Sequence, residues 1–157
     1  MTNARPDVGD PAPDFALPAN GGATVHLGDH AGQMLVLYFY PKDDTSGCTK
    51  EAIAFTAQMD AFRDAGAAVL GVSKDSVAKH EKFVAKHDLA VTLLSDAEGD
   101  VCERYGTWVE KSMYGKTYMG IERSTFVIDG AGKIRHAWRK VKVPGHVDAV
   151  LKALREG

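Results

Sequence analysis

The chain has 157 residues, 45% apolar and 25% charged, which is the composition of an ordinary soluble globular protein about one domain long. With 19 Lys and Arg against 21 Asp and Glu, the net charge of −2 argues against nucleic acid or an anionic membrane as the main partner, since both are met by a basic excess. The 16 glycines and 6 prolines are too few for a fibrous or disordered chain, and the longest apolar run, residues 34–40, is far short of the roughly 18 residues of a membrane-spanning helix. The opening residues carry no apolar block like that of a secretory signal, so the expected location is the cytoplasm.

Taken in chain order, residues 10–22 read as irregular structure or a small hairpin. Residues 34–40 are apolar throughout and predict a strand buried on both faces. Ala52, Phe55, Met59 and Phe62 share one face of a predicted helix over 46–65, closed by Gly66. A strand follows over 67–73, then a helix over 76–87 with Val77, Phe83 and Val84 inward, a strand over 91–95 and a short helix over 98–105 that buries Val101 and Tyr105. Residues 124–129 and 133–139 predict a β-hairpin around Asp129-Gly130-Ala131-Gly132. Past Pro144-Gly145, Val147, Val150, Leu151 and Leu154 fall at i, i+3, i+4 and i+7, the stripe of a terminal amphipathic helix. Strands alternating with helices give an α/β class, and residues 1–157 are expected to form a single domain. The order of elements resembles a thioredoxin-like fold, a central mixed β-sheet flanked by helices, with residues 76–118 as an inserted unit.

The two cysteines, Cys48 and Cys102, are too far apart for a zinc knuckle or a Cys-x-x-Cys pair. Cys48 stands where a polar loop after the buried strand opens the longest helix. There the macrodipole is positive and amides are unpaired, which favours the thiolate, the reactive form of the side chain. Thr45 and Ser46 are placed to cap that helix, and the Thr45 hydroxyl is placed to meet whatever the thiolate attacks. Read alone, these features fit a buried small residue beside an N-cap equally well. The six histidines show no metal-ligand spacing; His80 and His87 lie two turns apart on one helical face. Asp43, Asp44 and Glu51 read first as a solvated charged loop, with Glu51 a candidate partner for Arg123 or for the helix start. Trp108, Tyr114, Tyr118 and Met119 are candidates to line a cleft, core packing being the default.

The context decides for chemistry. Pro41-x-x-x-Thr45-x-x-Cys48 after an apolar strand resembles the motif of the peroxiredoxins. Three blocks look like the bacterioferritin comigratory protein, or peroxiredoxin Q, class: residues 39–52, FYPKDDTSGCTKEA; residues 113–129, MYGKTYMGIERSTFVID; and residues 141–147, VKVPGHV. The resemblance implies a thiol-dependent peroxidase that reduces hydrogen peroxide and organic hydroperoxides through a cysteine sulfenic acid, with no metal or organic cofactor. It makes Cys48 the nucleophile, has Thr45 orient the peroxide and Pro41 shield the site, and has Arg123 stabilise the thiolate and the charge developing on oxygen. Thioredoxin, glutaredoxin or a small thiol would return the reducing equivalents, and the class suggests a monomer or weak homodimer. The alternative is a peroxide sensor or holdase on the same fold, turning over slowly.

The chain also departs from the class. Ile53 and Val84 occupy the positions where members carry a resolving cysteine, and Ser46 stands where proline is common. Cys102 is therefore the one candidate resolving thiol, and it is expected to be dispensable for turnover.

Overall fold

In the computed structural model, which describes residues 5–156, a five-stranded sheet runs through the middle of the chain with helices packed on both faces. In chain order, strands β1 (Ala16–Pro18) and β2 (Thr24–His26) form a small hairpin, followed by β3 (Met34–Phe39), helices α1 (Ser46–Ala57) and α2 (Met59–Asp64), and β4 (Ala67–Ser73). Next come α3 (Val77–His87), β5 (Thr92–Ser95), α4 (Val101–Arg104), the hairpin β6 (Trp108–Met113) and β7 (Lys116–Ile121), then β8 (Ser124–Ile128), β9 (Ile134–Trp138) and α5 (His146–Glu156).

The strand order is β5-β4-β3-β8-β9. β3, β4 and β5 run parallel, while β8 is antiparallel to β3 and to β9, so the sheet is mixed. β3 is its central strand, and its last five residues are buried, which is why that segment is apolar without alternation. The crossovers β3 to β4 and β4 to β5 step the same way, and right-handed connections then put α1, α2 and α3 on one face.

That face packs Val36, Tyr38 and Tyr40 against Cys48, Ala52 and Phe55 of α1, Phe62 of α2, Phe83 of α3 and Val150 of α5. The opposite face packs Leu35, Leu37 and Phe39 against Phe15 and Leu17 near the N-terminus and Val101, Cys102 and Tyr105. Cys48 and Cys102 thus belong to separate cores on either side of the sheet.

Four expectations need correction. The helix over 46–65 is two helices: Gln58, with φ −108° and ψ 11°, ends α1 and starts α2. Phe55 and Phe62 are seven residues apart, about 10 Å along a straight helix. The break lets their rings meet at 5.6 Å between centroids. The helix over 98–105 contracts to α4, because the Asp96 carboxylate accepts from the Val101 and Cys102 amides, at 3.2 and 2.8 Å, and sets the start of the helix there. Residues 76–118 are not one inserted unit, since β5 extends the central sheet along β4. Finally, the polar segment after α4 was not expected to be a hairpin. β6 and β7 pair in register, with Met113 opposite Lys116, through a two-residue turn in which Tyr114 (φ 54°) and Gly115 (φ 79°) are both left-handed.

Candidate active site

Cys48 is the third residue of α1 and is buried. The helix begins after Thr45, whose extended backbone makes it the N-cap, and the first helical bond runs from the Thr49 amide to the Thr45 carbonyl at 2.8 Å. The Thr45 hydroxyl does not cap the helix, contrary to the sequence reading. It donates to the Lys42 carbonyl at 2.8 Å, closing the loop on itself. With its hydrogen committed there, the Thr45 oxygen is left as an acceptor. Pro41, two residues beyond β3, is half-buried beside this loop.

Arg123, in the short connection between β7 and β8, joins the site from 75 residues along the chain. Its Nη2 lies 3.4 Å from Cys48 Sγ and its Nη1 donates to Glu51 Oε1 at 2.6 Å. Gly47 makes room for this approach: a Cβ at that position would stand 3.2 Å from Arg123 Nη2. Glu51, one turn after Cys48, is fully buried. Burial pushes its carboxyl up to about 7, outweighing the pull of the Arg123 guanidinium. Oε1 is taken by Arg123, and Glu51 Oε2 and the Tyr38 hydroxyl are the two buried side-chain polar atoms without a partner among the described residues. A proton on Glu51 therefore resides on Oε2.

A second polar network sits behind the loop. The sequence reading left Asp43 in solvent, but the fold buries it. Its carboxylate accepts from the Tyr40 hydroxyl at 2.5 Å and faces His80 Nδ1 at 2.6 Å, while His80 Nε2 faces the Leu94 carbonyl at 2.8 Å. A carbonyl only accepts, so Nε2 carries hydrogen. One turn pair further along α3, His87 and Lys86 bind Asp44, which adopts a left-handed φ of 61°. Two helical turns of α3 thus hold two consecutive aspartates of the loop that precedes Cys48. The equal spacing of His80 to His87 on one helical face was the signal for this grip, although it reads first as a failed metal motif.

The β6–β7 hairpin borders the site on the other side. Trp108, Lys111, Tyr118 and Met119 line a cleft of about 330 Å³ together with Pro41 and Lys42. Core packing, the default expectation for the hairpin's large side chains, holds in part for Trp108, which packs against the core, but not for Tyr114, which is 96% exposed, or for Met119 and Tyr118, which are exposed too. Cys102 is not part of this assembly. It lies in the opposite core, and burial together with the nearby Asp96 carboxylate pushes its thiol far up.

The AhpC/TSA family model matches residues 8–137. The chain is 51% identical to the peroxiredoxin Bcp of Xanthomonas campestris pv. campestris, over 99% of this chain and 97% of that protein. It is 47% identical to the peroxiredoxin Bcp of Escherichia coli, over 95% and 96%. Among solved structures, a peroxiredoxin PrxQ variant of Xylella fastidiosa superimposes with a TM-score of 0.92 at 40% identity, each chain covered to 98%. The Xanthomonas campestris bacterioferritin comigratory protein, solved in complexes bearing on its alkyl peroxide reduction activity, gives 0.86 at 49% identity over 90% of each chain.

Proposed function

The chain belongs to the AhpC/TSA family and is a peroxiredoxin, a thiol-dependent peroxidase, and from that premise we propose that Cys48 is its nucleophile and that hydrogen peroxide and organic hydroperoxides are its substrates. The Cys48 thiolate attacks the terminal oxygen of the hydroperoxide in line with the O–O bond. The S–O bond forms, the O–O bond breaks, and its electron pair leaves on the departing oxygen, giving Cys48 sulfenic acid and an alkoxide or hydroxide. An external thiol then displaces water from the sulfenic acid, and a second thiol releases Cys48 by disulfide exchange.

The observation that carries this reading is the Arg123 guanidinium, which spans Cys48 Sγ and the buried Glu51 carboxyl. Held by Glu51, it presents fixed donors where negative charge starts and where it moves. The Thr45 oxygen, free only to accept, takes the hydrogen of the terminal peroxide O–H and so aims that oxygen at sulfur. Pro41 covers the flank of the loop and keeps water from the thiolate. Thioredoxin, glutaredoxin or a small thiol serves as reductant, with the protein acting in the cytoplasm as a single domain, monomeric or weakly dimeric. Among the described residues no helix is long and apolar enough to cross a membrane.

The test is steady-state peroxide consumption with a thiol reductant, wild type against Cys48→Ser. Sustained turnover lost in the variant, with the fold retained by circular dichroism, is the expected result. Wild-type turnover in Cys48→Ser would overturn the assignment. A protein oxidised once by peroxide but unable to cycle would be a sensor or holdase instead.

A further inference from the structure

The chemistry leaves one proton unassigned. An alkoxide leaving from the O–O bond must be protonated, yet the donors around Cys48 are committed elsewhere or, like Glu51 Oε2 and the Tyr38 hydroxyl, sealed in the core. Arg123 is engaged by Glu51 and Cys48, and Glu51 and Cys48 hold its proton more tightly than usual despite its burial. The Thr45 and Tyr40 hydroxyls donate to the Lys42 carbonyl and to Asp43. Of the cations lining the cleft, Lys74 is bound to Glu103 and to the Gly99 carbonyl, and Lys42 is exposed.

Lys111 is different. It stands on β6 opposite Tyr118, half-buried, and its amine makes no hydrogen bond or ion pair to the described residues. Its stem does not follow the hairpin toward its tip. It lies along Gly120, where an added Cβ would be 3.3 Å from its Cδ and 3.5 Å from its Cε, so the side chain leans toward the Glu122-Arg123 end of β7. The charges that bear on its amine are Arg123, Cys48 and Glu122, those of the site and its margin. Burial, helped by Arg123, lowers its hold on a proton below that of an ordinary lysine, with Cys48 and Glu122 opposing.

We propose that Lys111 is the general acid of the peroxidase reaction, giving its ammonium proton to the oxygen that leaves when Cys48 attacks. The balance is complete: thiolate, hydroperoxide and ammonium become sulfenic acid, alcohol and neutral amine, and the amine regains a proton from water before the next turnover. The proposal rests on Cys48 being the nucleophile.

The experiment measures second-order oxidation rates of wild type, Lys111→Arg and Lys111→Met with two oxidants by stopped flow. tert-Butyl hydroperoxide expels an alkoxide that needs a proton; peracetic acid expels a carboxylate that does not. Both variants are expected to lose on the order of 100-fold with the alkyl hydroperoxide and to stay near wild type with the peracid, since general acids contribute about 100-fold or more where a proton must move. The wild-type rate with the alkyl substrate should also fall on the alkaline side, a limb that Lys111→Arg lacks. Restoration of the alkyl rate by arginine would show that charge alone matters and overturn the proposal. So would equal slowing with both oxidants, the mark of a merely structural lysine, or no slowing at all. Cys48→Ser is run in parallel: oxidant consumption that persists without Cys48 would sink the nucleophile assignment itself, whereas the comparison between oxidants addresses Lys111 alone.

Discussion

Replacing Glu51 by glutamine should reveal an acid sensitivity that the wild-type protein conceals. The Glu51 carboxyl is raised from the ordinary 4.5 to about 7, chiefly by burial. A group that binds protons more tightly in the folded state stabilises fully below its unfolded value and loses that contribution as pH climbs through its folded one. For Glu51 the loss runs from about pH 4.5 to about 7, and at roughly 1.4 kcal/mol for each tenfold change in proton affinity it amounts to about 3 kcal/mol. His146 works the other way. Its ring faces the Thr125 hydroxyl at 2.8 Å, and burial, with Arg123 nearby, lowers it from 6.5 to about 4. Its contribution is present above pH 6.5 and is lost, again by about 3 kcal/mol, as pH falls toward 4. The carboxylates of the exposed Asp29 and Asp44 and the half-buried Asp129, held low first by hydrogen bonds from His26, His87 and Lys133, act only below the ordinary 3.8. Over pH 4.5–6.5 the two buried groups oppose each other, and the wild-type stability curve should be nearly flat. Urea unfolding of Glu51→Gln should show stability climbing with pH across that range, on top of a uniform loss from the broken Arg123 pair. His146→Asn should show the reverse slope. A Glu51→Gln curve parallel to wild type would refute the reasoning.

Arg123→Met should slow peroxide attack by about 100-fold, the usual cost of one donor aimed at developing charge, and an unchanged second-order rate would demote the residue to a structural one. Thr45→Val removes one hydrogen bond to substrate and should cost about 10-fold in the same rate, with the length of α1 retained because the hydroxyl does not cap it; helix loss by circular dichroism would contradict this. Cys102→Ala should turn over like wild type with thioredoxin and with a small thiol, and intact mass after one equivalent of peroxide should show sulfenic acid. Loss of only the thioredoxin-dependent rate would make Cys102 the resolving thiol. Gly71→Ala would push a methyl to 2.8 Å from the Tyr38 ring and 2.9 Å from Leu93, and should destabilise by about 1–3 kcal/mol in urea titration.

The parts legible in the sequence were those whose signal is local. β3 announced itself by seven consecutive apolar residues, and the β8–β9 hairpin by its Asp-Gly turn, where Asp129 Oδ1 accepts from the Ala131 and Lys133 amides. β6 and β7 escaped because a tyrosine fills the left-handed position where asparagine is the usual signal. The break at Gln58 had no proline or glycine to mark it; it answers to the packing of Phe55 on Phe62. Cys48 was legible as a candidate from its place at a helix start, with the resemblance tipping the balance, but Arg123 stood out only through resemblance, since the contact that defines it joins residues 75 positions apart. Asp43 was misjudged for the same reason. An acidic pair in a loop reads as solvated until a helix 37 residues on brings a histidine to it.

The separation of the two thiols by the sheet bears on the kinetic order of the recovery we propose. Cys48 and Cys102 lie in cores on opposite faces of the sheet, and packed layers stand about 10 Å apart while a disulfide needs its Cα atoms within about 7 Å, so the fold as it stands does not bring the two thiols together. An enzyme that captures its own sulfenic acid does so at a rate independent of its surroundings and needs an external thiol only to reduce the resulting disulfide. If Cys102 takes no part, as we propose, that capture is instead a collision, linear in the concentration of free thiol and without a plateau. The oxidised cysteine waits for whichever molecule arrives first, a thiol that restores it or a second peroxide that carries it on to the sulfinic acid. In that proposed cycle the fraction of molecules lost each time tracks the ratio of peroxide to thiol around the protein, making inactivation a running record of that ratio.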